Sequence, residues 1–277
     1  QAANCMRKRT IALIAILTAL LAACTEKTDY NTLLVRADSL MNLHPDSALH
    51  MLESISTDSL STKADRAYHA LLLTQARDKN YMVQTDDSLI QVAVRYYDTH
   101  EDALLQARAY YYWGCVYRDM KKAEEAVTSF LTANILAKKT KNIRLQSLIC
   151  NNIGYLYYAQ DLNEQADSIY REAEQMAVLL KDSLLQAEAL SQQGMIRMEK
   201  GKSFYPKAEK LMRQALYMAK MTNNKTLNRT ILSALSTLYY RMENGKKAVE
   251  FAKQNFALQE DTTFCYNAFY ILGNAYY

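Results

Sequence analysis

One small residue returns about every forty positions along this chain, and that recurrence constrains the fold more than anything else in the sequence. Trp113-Gly114-Cys115-Val116-Tyr117 aligns with Ile153-Gly154-Tyr155-Leu156-Tyr157. Twelve residues after each glycine stands an alanine, Ala126 or Ala166; four further on comes an aromatic, Phe130 or Tyr170; three more gives Ala133 or Ala173. A third copy reads Gly194, Ala208, Met212 and Ala215, with two extra residues in its turn. A fourth reads Leu235-Ser236, Tyr239, Ala248 and Ala252, and Leu272-Gly273-Asn274-Ala275-Tyr276 opens a fifth. Going backwards, Ala76 and Ser88 fit the two small positions, and Ala48 fits one more. Self-similarity at such a period marks stacked supersecondary units. Glycine inside a helix costs up to about 1 kcal/mol relative to alanine. Four of the six glycines stand at this one point, which makes sense where two helices cross closely and the alanines of the second form the facing surface.

The other turn residues agree. Two prolines and six glycines are too few for a hairpin-rich sheet, and no segment alternates cleanly with period two. Gly201 and Gly245 fall in turns between first and second helices, and Pro45 and Pro206 stand where second helices begin. Asp102, Asp182 or Ser183, and Thr262 precede first helices as N-caps. The expected fold is all-α: a right-handed solenoid of helical hairpins over residues 31–277.

These positions resemble the tetratricopeptide repeat (TPR), with its Leu-Gly-x-x-Tyr, Ala-x-x-x-Phe and Ala signature. Two features depart from that family: the repeat is near 40 residues instead of 34, and the proline that often closes the family's repeat is absent. Longer repeats of this kind resemble those of bacterial regulators that bind signalling peptides. The resemblance implies a scaffold that holds a protein or peptide in a concave groove. Together with residues 67–79 and the N-terminal features below, the repeats look like a group of Bacteroidetes cell-envelope proteins whose members often continue into a membrane helix and an output segment.

The N-terminus reads as a secretory signal. Arg7, Lys8 and Arg9 precede 16 uncharged residues, Thr10 to Thr25, whereas a spanning helix needs about 20 apolar residues. The run ends Leu21-Ala22-Ala23-Cys24, which resembles a lipobox, and makes Cys24 the expected lipidated N-terminus. Residues 1–5 are then an upstream remnant, 6–23 the signal and 24–30 a tether. The expected location is the cell membrane or outer membrane, lipid-anchored, with the domain outside the cytoplasm. Removing residues 1–23 leaves 30 basic and 29 acidic residues, so no basic stripe suggests nucleic acid.

Helical geometry at 100° per residue groups the residues three before, one after and four after each small residue on one face, and the resemblance to tetratricopeptide repeats implies that this face lines the concave groove. These are Tyr111, Cys115 and Arg118; Asn151, Tyr155 and Tyr158; Ser191, Met195 and Met198; and Ser233, Thr237 and Tyr240. Residues four before, one before and three after, such as Tyr110, Trp113 and Tyr117, should pack onto the second helix. The peptide-binding candidates are Tyr111, Arg118, Asn151, Tyr155, Tyr158, Tyr240 and Arg241. Their lining is aromatic and uncharged, which predicts weak salt dependence. Tyr111 and Cys115 stand where some relatives begin a lysine–asparagine clamp for a terminal carboxylate, so that clamp is not implied.

Enzyme signatures do not emerge. The four histidines form no H-E-x-x-H pattern, and there is no P-loop, G-x-S-x-G or G-x-G-x-x-G. Glu124-Glu125 and Asp86-Asp87 lie near helix starts, where acids complement the helix dipole. Cys115, Cys150 and Cys265 show no metal or redox spacing and read as structural thiols. No cofactor is expected. A glycan-capturing nutrient-binding lipoprotein would carry long loops rich in Trp, Pro and Gly, and this chain has one tryptophan. The last apolar run, residues 271–277, sits inside a first helix without a cap, so the repeat array is expected to continue by at least one helix and into an output segment.

Overall fold

A computed structural model describes residues 31–258, where the chain forms twelve α-helices and, among the described residues, no strand. They pair as six hairpins. The first helices are α1 (Thr32–Leu40), α3 (Lys63–Lys79), α5 (Ala103–Asp119), α7 (Ile143–Ala159), α9 (Ser183–Glu199) and α11 (Lys225–Arg241). The second helices are α2 (Pro45–Glu53), α4 (Ser88–Tyr97), α6 (Ala123–Thr140), α8 (Asn163–Leu180), α10 (Tyr205–Met221) and α12 (Gly245–Ala257). First helices touch one another along an inner layer and second helices pack outside them. The architecture is a right-handed TPR-like α-solenoid.

Local chemistry explains the helix ends. Asn31, Thr62, Asp102, Asn142, Asp182 and Asn224 each cap a first helix, their side-chain oxygens accepting backbone N–H groups of the first turn. Of Asp182 and Ser183, Asp182 is the cap. Pro45 and Pro206 occupy first-turn positions of α2 and α10. Left-handed residues close the hairpins at Tyr81, Lys121, Asp161 and Glu243, and the connections between hairpins at Lys141, Lys181 and Asn223. The two additional residues of the 42-residue repeat form a single 3-10 turn, Lys202–Phe204, ahead of α10. Gly201 before it has φ +107° and ψ −179°, a region reserved for glycine.

Inside each hairpin the helices cross where the small residue stands. A Cβ added to Gly114 would lie 2.6 Å from the Phe130 ring, one at Gly154 2.8 Å from Tyr170, and one at Gly194 2.7 Å from Met212. At the fourth crossing the Ser236 hydroxyl donates to the Ala248 carbonyl at 2.8 Å. The register proposed for the earlier hairpin needs correcting. Helix α3 begins 40 residues before α5, so buried Thr74 takes Gly114's place instead of Ala76, and its hydroxyl is satisfied by the Ala70 carbonyl at 2.8 Å. Ser88 merely starts α4, whose buried small residue is Ala93. The chain 80–87 runs without helix, which shortens α4, yet the 40-residue offset holds across it: Ile90 and Ala93 stand where Phe130 and Ala133 do.

Between hairpins a different contact recurs. Asp87 just before α4, Asp167 on α8 and Glu209 on α10 stand in corresponding register, and each meets the following first helix. Asp87 accepts from Trp113 Nε1 at 2.9 Å. Asp167 pairs with Arg197 at 2.6 Å, both side chains almost wholly buried. Glu209 accepts from the Tyr239 hydroxyl, which in turn accepts from Arg213 at 2.6 Å. Thus Tyr110, Trp113 and Tyr117 do pack on a second helix, but on α4 of the preceding hairpin: Tyr110 reaches Asp98 at 3.1 Å, and Tyr117 shares Asp87 with Trp113. Their own second helix meets the other side of α5 through Phe130.

Cys24, the signal and tether, Thr262, Cys265 and the repeat opening at Gly273 lie outside the described residues. Among the described residues no helix is long and apolar enough to cross a membrane.

Candidate binding groove

The inner layer is lined by a ridge that the four-residue helical repeat builds directly. Tyr68, Arg108, Leu148, Glu188 and Thr230 each stand six residues before the crossing position of their helix. Their neighbours four residues away on the same ridge include Arg144, Tyr112 and Gln192. Together they wall two clefts on either side of α7. The first, about 440 Å³, lies among α1, α3, α5 and α7 and includes Asp38, Tyr68, Gln75, Lys79, Arg108, Arg144 and Leu148. The second, about 260 Å³, is walled by α7, α9 and α11, with Asn151, Tyr155, Tyr170, Glu188, Gln192 and Thr230; Tyr81, just beyond α3, reaches into it.

Charge dominates the first cleft. Arg108 grips Asp38 with two hydrogen bonds, at 2.7 and 3.0 Å, and a third from the same guanidinium reaches Gln75 at 2.6 Å. The Tyr68 hydroxyl donates to Asp38 at 2.6 Å. Burial works to raise the Asp38 carboxyl, but the Arg108 and Tyr68 bonds outweigh it and hold the group below its ordinary value. Burial, reinforced by the Arg144 charge, lowers the Lys79 ammonium. In the second cleft burial, reinforced by the nearby Asp182 charge, pushes the Glu188 carboxyl up to about 7. Asn151 Nδ2 donates to it at 3.4 Å, a long bond.

The proposed site residues divide. Asn151 and Tyr155 both line the second cleft, with Tyr155 48% exposed. Tyr158 is half-buried; burial and then the Glu199 charge raise its hydroxyl. It lines neither cleft and packs against Tyr170 and Ile196; Arg241, ion-paired with Glu199 at 2.9 Å, and exposed Tyr240 on α11 likewise line neither cleft. Tyr111 is interior instead: its ring packs on Phe130 and Tyr112, and its hydroxyl accepts from Asn152 at 3.1 Å. Cys115 is also fully buried. Arg118 is committed, bridging Asp78 and Asp119 at 2.9 Å and Asn152 at 2.8 Å, and so ties α3, α5 and α7 together. On α5 and α9 the groove face is therefore rotated by roughly 50° from the expected one, while on α7 the expected Asn151 and Tyr155 do line a cleft. Residues 67–76 of α3 are all buried, and the expected face of α5 is covered, Arg118 bonding to Asp78 of α3 and Asn152 of α7. Arg108, Lys79, Arg144 and Glu188 were missed for that reason, and the lining is charged, contrary to the uncharged one expected. The row 68, 108, 148, 188, 230 was the available signal.

Cys115 and Cys150 are buried free thiols. Burial pushes both up, Cys150 to about 12, so neither is a thiolate at neutral pH. Among the described residues no His, Cys, Asp and Glu cluster is placed to hold a metal ion.

No family model matches the sequence, and no curated protein matches it. Solved structures do match its fold. A Rap protein complexed with competence and sporulation factor superposes with a TM-score of 0.70 at 14% identity, over 88% of this chain and 70% of that one. NprR in complex with its cognate peptide NprX gives 0.66 at 15%, over 88% and 71%. A signal-transduction ATPase with a tetratricopeptide repeat sensor, from Pyrococcus horikoshii, gives 0.65 at 16%, over 88% of this chain and 38% of the ATPase. At these identities the likeness concerns the fold: residues 31–258 build the same kind of helical-repeat solenoid that those proteins carry.

Proposed function

We propose that this chain is an interaction module that holds a peptide or protein segment in its concave groove, and that Cys24 carries a lipid anchoring it to the cell envelope. The observation supporting the binding reading is the pair of clefts flanking α7, walled by one ridge of side chains drawn from five consecutive inner helices. A groove of that form suits an extended segment, and two of the structural neighbours were solved with a peptide or factor bound. The charged lining predicts affinity that falls with salt. A random-peptide display selection on the purified chain tests the reading. Enriched peptides should bind wild type and lose affinity when Tyr155 and Tyr158 are both changed to alanine, while exposed Ile135→Ser on the outer α6 has no effect. Peptides indifferent to the tyrosine pair would move the site off the groove. The anchor is tested by the mass and membrane fractionation of the mature protein beside Cys24→Ala; an unlipidated chain still carrying residues 6–23 would remove it.

A sensor role within a larger regulator is a second reading. It is favoured by the match of 88% of this chain to the ATPase whose repeats form its sensor. The downstream coding sequence separates the two.

A further inference from the structure

Three arginines buried in or beside the inner layer are ion-paired. Arg108 has Asp38, Arg118 has Asp78 and Asp119, and Arg197 has Asp167. Two charged groups lining the clefts are not paired. Lys79, the last residue of α3, lies partly buried in the first cleft and, among the described residues, makes no ion pair within 4.0 Å. The charged groups around it are Arg144, Arg108, Asp78 and Glu188. Asp78 is already held by Arg118, so two guanidiniums and an ammonium share one cleft. Glu188 on α9, in the second cleft, also makes no ion pair within 4.0 Å among the described residues. Facing it are Asp182, which Arg144 holds, then Arg144 and Lys79, with neutral Asn151 and Gln192 beside it. Lys79 and Glu188 therefore sense one another's charge without meeting.

An unpaired charge withdrawn from water is costly, and the cost is removed by a partner of opposite sign. Lys79 at the end of α3 also complements the carbonyl end of its helix, but that role needs neither the cleft nor the two guanidiniums beside it. We propose that the groove recognises a peptide segment carrying one acidic and one basic side chain, the acid seated on Lys79 near Arg108 and Arg144, and the base on Glu188 beside Asn151 and Gln192. The segment crosses α7 between the clefts, with Leu148 and Tyr155 as apolar contacts. This rests on the groove reading above and adds the chemistry of the ligand. A ligand with a single charge leaves the other protein charge unpaired, so the pair acts as a selectivity filter.

The test starts from the display selection and takes one enriched peptide through a charge-swap cycle on the full chain. The peptide, a version with its acid made amide and a version with its base made methionine are titrated against wild type, Lys79→Met and Glu188→Gln. Each protein variant should weaken the parent peptide about tenfold and should leave unchanged the peptide that already lacks the matching charge. Enriched peptides without the charge pair, or variants that weaken parent and neutralised peptides equally, overturn the inference while leaving groove binding intact. Selection that yields no binder, or binders indifferent to Tyr155 and Tyr158, overturns the groove reading and this inference with it. The peptide-side changes on wild-type protein decide the matter even if a protein variant fails to fold.

Discussion

The crossing within a hairpin and the seam between hairpins are built by opposite rules. At three crossings a glycine faces a bulky side chain and the contact is apolar, Gly114 on Phe130, Gly154 on Tyr170 and Gly194 on Met212, and at the fourth Ser236 adds a hydrogen bond to the Ala248 carbonyl. At the seam the equivalent residues change kind from one repeat to the next: Asp87 with Trp113, Asp167 with Arg197, Glu209 with Tyr239, while the sequence puts Val127 and Tyr157 at the places of Asp167 and Arg197. The crossing is a shape constraint with few solutions. The seam is a pairing constraint, which any two mutually satisfied groups can meet.

The seam at Asp167 should break hardest. Arg197→Ala leaves a carboxylate, itself 3% exposed, with only the surface arginine Arg171 at 3.3 Å. Losing one partner of a buried pair costs about 3–5 kcal/mol, and thermal melts should show a drop of several degrees or more. Replacing both partners by the residues of the preceding seam, Asp167→Val with Arg197→Tyr, should restore most of that stability, because the pairing rule is met without charge. A double variant no better than Arg197→Ala would show that this seam needs its ions.

The crossing should resist such exchange. Gly154→Leu forces a side chain into a space where even a Cβ lies 2.8 Å from Tyr170, at a cost of about 1–3 kcal/mol or more. Trimming the partner in the double variant with Tyr170→Ala should recover part of it, measured as a coupling in denaturant unfolding.

Charge left unpaired in the groove gives a smaller effect with a pH signature. Folding raises Glu188 from the ordinary carboxyl value of 4.5 to about 7, so the folded chain holds an extra proton between those values. Wild-type stability should accordingly fall as pH rises from about 4.5 to 7 and then level off. Glu188→Gln should lack that fall and be more stable at pH 8 by about 1–2 kcal/mol, allowing for the water that reaches the side chain. Equal slopes for the two proteins would place the carboxyl in ordinary solvent.

The smallest effect concerns the connections. Lys181 closes α8 with φ +54°, so Lys181→Gly should relieve left-handed strain and raise stability by up to about 1 kcal/mol. Gly201→Ala goes the other way, at φ +107° with open space around it; its loss reports backbone strain alone, and it exceeds the modest cost expected for an ordinary turn glycine.

The period, the hairpin crossings, the caps and the turns were legible in the sequence because each depends on residues a few to about sixteen positions apart, whose relative placement helical geometry dictates. Gly154 and Tyr170 can be matched on paper for that reason. Thr74 escapes that match although it lies 40 residues before Gly114, because a β-branched polar residue does not look like the small residue of a close crossing and Ala76 two positions on does. The seam partners and the groove face belong to the tertiary structure. Asp167 finds Arg197 and Lys79 lies near Glu188 only once the superhelical curvature sets how far each hairpin turns relative to the last, a small rotation per repeat that accumulates along the stack. Helical periodicity specifies which residues share a face of one helix; the packing of its neighbours decided that Arg108 and Glu188 face the groove while Tyr111 and Cys115 are sealed beneath it.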